Sequence, residues 1–218
     1  GSHEAGRWSR YDRDFETLRL LGHGNYGVVY ESRNRLDGRR YAVKKIVLRH
    51  LSATETADDA RSDQQLVASF VRDSDAYAWR WMLREVRAMA TIRDNDNVVR
   101  YHQSWLELSD SVDQLSSDSG SSGSGESSEG GDGPALILCI QMQLCEGQTL
   151  GEALRARDRK GEPLPLQLVV GVLGLMLAGV EHIHEEGFLH RDLKPANVLV
   201  RSADGRAFVT DFGLAKQI

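Results

Sequence analysis

Three glycines, and above all the residues directly after them, constrain the fold of this 218-residue chain. Gly22-His23-Gly24-Asn25-Tyr26-Gly27 has the G-x-G-x-x-G spacing. In a βαβ dinucleotide-binding unit the third glycine opens a helix. Here it leads into Val28-Val29-Tyr30, β-branched and aromatic residues that favour a strand. A second strand run, Phe15–Leu21, precedes the loop, so the glycines are expected to join two antiparallel strands. Taken alone, the pattern serves equally for a glycine-rich hairpin that holds nothing. Asp37-Gly38 then marks a hairpin turn into Tyr41–Leu48.

The rest of the chain divides by texture. Ser52–Ser74 is polar and suggests no role; Asp75 caps an expected helix from Ala76 to Ile92, with Met82, Glu85, Val86 and Met89 on one face. Val98–Leu108 and Ala135–Leu144 read as strands, separated by Ser109–Gly133. That tract holds ten serines, six glycines and six acids without a single Lys or Arg, and is expected to be disordered. It carries the acidity: without it 26 acids face 27 bases, so the net charge of −5 marks no nucleic-acid surface. Helical texture resumes in Thr149–Arg157 and Leu166–Glu186, then strands Val198–Val200 and Ala207–Thr210 around Asp204-Gly205. Leu164–Val180 has almost the length of a membrane span, but its three glycines and its run into Glu181-His182-Ile183-His184 fit a core helix better. Cys139 and Cys145 make neither a disulfide framework nor a zinc pattern, as expected in a reducing compartment. The start GSHEAGRW, without Met, is either a cloning scar or a fragment edge.

Three further elements carry chemistry. Lys44 ends the strand Tyr41-Ala42-Val43-Lys44. It is either an edge-strand solubility lysine or a cation for phosphates, with Glu85 as partner, since an acid on an apolar helix face needs a cation if buried. Glu31 and Asp75 are expected at the surface. The decisive segment is His190-Arg191-Asp192-Leu193-Lys194-Pro195-Ala196-Asn197, with Asp211-Phe212-Gly213 after it. This is H-R-D-x-x-x-x-N with its later D-F-G, the pattern of phosphoryl transfer. Asp192 is placed to accept the proton of an attacking hydroxyl, while Asn197 and Asp211 are placed to hold Mg²⁺. Lys194 adds a cation at the γ-phosphate and points to Ser/Thr acceptors. His190 and Phe212 are expected to pack rather than to react.

With these elements in order, the chain resembles the eukaryotic protein kinases. Within them it is similar to the kinases of the translation initiation factor 2 α-subunit, general-control (amino-acid-starvation) branch. That likeness rests on Asn97-Val98-Val99-Arg100-Tyr101 with Trp105, on the acidic insert behind it, and on Ile140-Gln141-Met142-Gln143-Leu144-Cys145-Glu146 with Thr149-Leu150. Phe15-Glu16-Thr17-Leu18 and Leu36-Asp37-Gly38 point to the branch. The resemblance implies an α+β, bilobal protein-kinase-like fold. Residues 1–10 would be tag or flexible start, 11–144 the small lobe with inserts 52–74 and 109–133, and 145–218 the beginning of the large lobe. It implies Mg-ATP as co-substrate: Leu21, Gly22, Gly24, Gly27, Val29, Ala42 and Leu199 around the nucleotide, Met142 behind the adenine, and Gln143, Leu144 and Cys145 as hinge. Glu85, Met89, His190 and Phe212 would form the active-state stack. It further implies initiation factor 2 α as protein substrate, a homodimer through the small lobe and a cytoplasmic location; the charge balance and the core-helix pattern of Leu164–Val180 argue for no direct nucleic-acid contact and no membrane span in this stretch. Two departures stand beside it. The stretch between Lys44 and Glu85 is long, and the chain stops five residues past Gly213, before an activation segment in which Arg191 would find its phosphorylated partner. The 218 residues alone are therefore expected to bind nucleotide without turnover. A kinase with another substrate, such as a cell-cycle inhibitory kinase, and a non-catalytic kinase-like module remain the alternatives.

Overall fold

A computed structural model describes residues 9–24, 27–51, 65, 67–68, 85–109 and 134–218. The expected N-terminal tag up to residue 8, Asn25 and Tyr26, most of the 52–74 stretch, Asp75, Met82 and the acidic tract beyond Ser109 lie outside the described residues. The chain divides into two compact units, Gly1–Ala76 with Ser104–Gln141, and Tyr77–Gln103 with Met142–Ile218.

The first unit is built on an antiparallel hairpin series. A short helix α1 (Arg10–Asp14), capped by the Ser9 side chain, leads into β1 (Phe15–Gly24), β2 (Gly27–Asn34) and β3 (Arg40–His50). With β4 (Tyr101–Ser109) and β5 (Ala135–Gln143) these form one sheet in the order β1-β2-β3-β5-β4. The period-two alternation of β3 decides its faces. Tyr41, Val43 and Val47 join a core with Tyr11, Phe15, Val28, Tyr30, Trp105, Ile137 and Cys139, whereas Ala42, Lys44 and Ile46 turn the other way. β5 is buried from Ala135 to Met142, following its apolar run Ala135–Ile140 and taking the polar Gln141 inside with it. Glu31 is not the surface group expected from sequence: it is 3% exposed, accepting from Arg19 Nε at 2.7 Å and Arg40 Nη1 at 2.9 Å. The two arginines arrive from β1 and β3, the strands flanking β2, and give the buried carboxylate the cations it needs.

In the second unit, residues 85–91 are helical (α2) and bury Glu85, Ala88 and Met89, with Ile92 just beyond. β6 (Gly147–Thr149) runs into α3 (Leu150–Arg159) through a capping box, in which Glu152 and Thr149 each accept the other's backbone N–H. After α4 (Leu166–Glu185) come β7 (Phe188–Leu189), a 3₁₀ turn (Pro195–Asn197), β8 (Val198–Arg201), β9 (Ala207–Val209) and β10 (Lys216–Gln217). β6-β8-β9 form one small sheet and β10-β7 another. Segment 97–99 is knitted to β9: Val99 N donates to Val209 O and Val209 N to Asn97 O. α4 presses against this seam so closely that a Cβ on Gly179 would stand 2.6 Å from Asn97 O.

Among the described residues, the expected core helix is thus covered along one face only. Val172, Gly179 and Ile183 are buried, while Leu166, Val170, Leu173 and Leu177, at i, i+4, i+7 and i+11, are exposed. By length and composition α4 could cross a membrane, with 17% of its most apolar stretch buried. The reason is geometric: among the described residues β7, β8, β9, Leu150 and segment 93–97 meet the helix, and they cover a single stripe.

Candidate active site

The first unit contributes a row of residues across three strands. Gly22 stands opposite Val29, and Val29 opposite Lys44, so strand register alone sets a glycine, a valine and a lysine side by side. Ala42 is buried two positions from Lys44 on the same face, Gly24 ends β1, and Leu21 is exposed. Lys44 itself is 6% exposed, which excludes the solubility lysine of an edge strand. The glycines differ in kind. A Cβ on Gly27 would collide with the Lys45 carbonyl, so this glycine lets β2 close on β3. A Cβ on Gly22 would meet nothing within 4 Å among the described residues.

The second unit holds the other groups. Met142 is buried at the end of β5; Gln143, Leu144 and Cys145 are half-buried. Gln143 N–H donates to Arg100 O, so the donor of this expected hinge residue is committed within the protein. Burial pushes the Cys145 thiol up to about 11. Leu199 lies in the middle of β8, facing Thr149 and Phe208 in register. Glu85 is 2% exposed on α2 and belongs to this unit, while Lys44 belongs to the first.

Around Asp192 the geometry is dense. Lys194 Nζ donates to Asp192 Oδ2 at 2.7 Å, and Asn197 Nδ2 donates to both Asp192 Oδ2 and Asp192 O at 2.9 Å. The lysine bond first, then the amide, holds the Asp192 carboxyl below the usual carboxylate range. His190 is fully buried with its ring 5.2 Å from that of Phe212. Its partners fix the tautomer: Thr210 O only accepts, so Nε2 carries the proton at 2.9 Å, and Nδ1 accepts from Asp192 N at 3.3 Å. Burial drives the imidazole pKa down, keeping it neutral. Met89 and Phe212 line one small cavity together with Ile92 and Val98. Two non-glycine residues, Arg191 (φ 66°) and Asp211 (φ 65°), take the left-handed conformation. Such backbone strain, of order 1 kcal/mol or more each, collects at functional sites.

These donors suit a magnesium ion. With Nδ2 committed to Asp192, Asn197 receives no donor at Oδ1 among the described residues. One amide oxygen and the Asp211 carboxylate are the sparse oxygen set that Mg²⁺ accepts when phosphates and water complete its shell. Among the described residues no cluster of three or more His, Cys, Asp or Glu offers a closed metal cage.

Sequence reasoning missed Glu107, 6% exposed and the acceptor of three hydrogen bonds. The signal was present: two positions after Trp105 on a strand, it shares that residue's buried face.

The protein kinase domain family model matches residues 15–218, and the chain belongs to that family. Curated relatives include the interferon-induced, double-stranded RNA-activated protein kinase of Mus musculus, 30% identical over 95% of this chain and 32% of the relative. The eIF-2-alpha kinase GCN2 of Arabidopsis thaliana is 29% identical over 95% of this chain and 15% of its own length. A Wee1-like protein kinase of Oryza sativa subsp. japonica is 30% identical over 96% and 29%. The chain thus spans a third or less of the length of these relatives.

Proposed function

We propose that this chain is the nucleotide-handling part of a Ser/Thr protein kinase that transfers the γ-phosphoryl of Mg-ATP to a serine of translation initiation factor 2 α and so represses translation. The observation that carries the transfer chemistry is the Asp192–Lys194–Asn197 network. Asp192, ionised and oriented by two donors, accepts a hydroxyl proton late, which suits the loose transition state of phosphoryl transfer. A carboxylate of lowered pKa is a weak base, so its main work is aiming the hydroxyl. Lys194 remains beside it as a cation for the transferring group. Asn197 and Asp211 would hold Mg²⁺, which when bound neutralises charge on the phosphates. Gly22, Gly24 and Gly27 offer backbone N–H groups to those phosphates, and Lys44 a buried cation, with Glu85 as its acidic counterpart. Leu21, Val29, Ala42, Met142, Leu144, Cys145 and Leu199 would surround the base.

The substrate reading draws on the relative named an eIF-2-alpha kinase and on the Trp105 strand and Cys145 hinge patterns. A cytoplasmic setting and pairing through the first unit go with it. The Wee1-like relative, equally similar, supports a second reading: a kinase with a different protein substrate.

Binding of a fluorescent ATP analogue with and without Mg²⁺ tests the first step on the 218-residue chain. Transfer is tested with the longest natural form of the protein carrying this chain, with labelled ATP, initiation factor 2 α and a generic Ser/Thr peptide. Label on the α-subunit, lost in Asp192→Asn and Lys44→Arg, is expected. Label on the peptide alone would sink the substrate assignment and leave the kinase; no nucleotide binding would sink both.

A further inference from the structure

On the sheet face opposite Lys44, the segment 9–14 crosses the first unit as a strap whose contacts reach all five strands. Glu107 of β4 seats it: Oε1 accepts from Ser9 Oγ at 3.0 Å, and Oε2 from Tyr11 N at 3.0 Å and Trp105 Nε1 at 2.8 Å. Tyr11 then ties the remaining strands. Its hydroxyl bonds Thr17 Oγ1 of β1 at 2.7 Å and Ser32 Oγ of β2 at 2.6 Å. Its ring lies 3.4 Å beneath Lys45 Nζ of β3 and packs in the core with Ile137 and Cys139 of β5.

A side chain in a core needs only bulk, and phenylalanine would supply that. Tyr11 does more. Its two hydroxyl bonds pin β1 to β2, the arms of the glycine hairpin, and its ring holds the residue adjacent to Lys44. Val28 pairs with Lys45 and Val29 with Lys44, so fixing one fixes the backbone of the other. We propose that Tyr11, seated by Glu107, is a positioning residue that sets the glycine hairpin and Lys44 for the nucleotide phosphates from the far side of the sheet. This rests on the nucleotide reading above.

Tyr11→Phe keeps the ring and removes only the hydroxyl bonds; Glu107→Gln keeps the volume and removes the charge that gathers three donors. Ile183→Val, in the second unit, controls for general loss of stability. Each is measured in the 218-residue chain, well below its melting temperature, for Kd of a fluorescent ATP analogue with Mg²⁺ and for amide hydrogen exchange in β1 and β2. Tyr11→Phe and Glu107→Gln are expected to weaken binding at least threefold and to speed exchange in both strands, and Ile183→Val to do neither. A wild-type Kd in Tyr11→Phe overturns the proposal whatever exchange does, as does equal weakening by Ile183→Val. Should the wild-type chain bind no nucleotide, the kinase reading fails instead; wild-type exchange in β1 and β2 of Tyr11→Phe would then overturn the strap's hold on the hairpin.

Discussion

At Asp192 two neighbours decide the charge of a carboxylate that water still reaches. Lys194 and Asn197 both donate to Oδ2, so the folded pKa falls below the ordinary value, and the stability they lend is full above that value and lost only as pH drops through the folded one. Asp192→Asn keeps the shape and removes the proton acceptor. Phosphoryl transfer should fall by about 10²-fold or more in a steady-state assay, while nucleotide Kd stays within about twofold. His190 works in the opposite pH range. Its folded pKa is depressed by burial, so the chain is most stable above the free-imidazole value, about 6.5, and loses stability as pH falls from there towards the folded pKa. Urea midpoints at pH 7.5 and pH 5.5 should therefore differ in the wild type and differ less in His190→Gln. Cys145, raised to about 11, should alkylate with iodoacetamide at pH 7.5 far more slowly than a free thiol, followed by mass spectrometry. The sequence displays all three residues; their charge states are not in it, because each depends on a partner that folding brings or on water that folding removes.

Among the elements, the β1–β2 hairpin separates two jobs that one motif conceals. Gly27 is required by the Lys45 backbone, Gly22 by no contact among the described residues. Gly27→Ala should lower the melting temperature by several degrees, an overpacking cost of about 1–3 kcal/mol. Gly22→Ala should leave it within about two degrees and weaken nucleotide binding. Similar melting curves for the two variants would refute the distinction. Strand identity was legible where β-branched and aromatic residues cluster beside turn signals, as in β2 and β3. Single glycines were not, since G-x-G-x-x-G does not say which glycine faces a ligand and which faces a neighbouring strand. Glu31 was misplaced for a related reason: the arginines that admit it to the interior are 12 and 9 residues away, and only strand pairing unites them. α4 was legible as a helix, but its apolar residues do not announce how many faces will be covered.

At the scale of the whole molecule, the acidity and the fold separate. β4 ends at Ser109 and β5 begins at Ala135, with Leu51 N donating to Pro134 O beside that junction. The 25 residues between offer only Val112 and Leu115 as apolar side chains. Replacing Ser109–Gly133 by a short Gly/Ser turn should change the melting temperature by no more than a few degrees while moving the isoelectric point up from 5.8. A large fall in melting temperature would refute this. By itself the sequence determined the family and the chemical roster, because glycine spacing, the H-R-D-x-x-x-x-N run and D-F-G are local patterns whose chemistry needs few residues at fixed separations. Only the tertiary structure decided which glycine serves the fold, that Glu31 and Glu107 are interior, that His190 is a neutral Nε2–H tautomer, and that α4 is covered on one stripe. Each of these depends on residues far apart in the chain meeting in a space that excludes water, and no local pattern encodes that meeting.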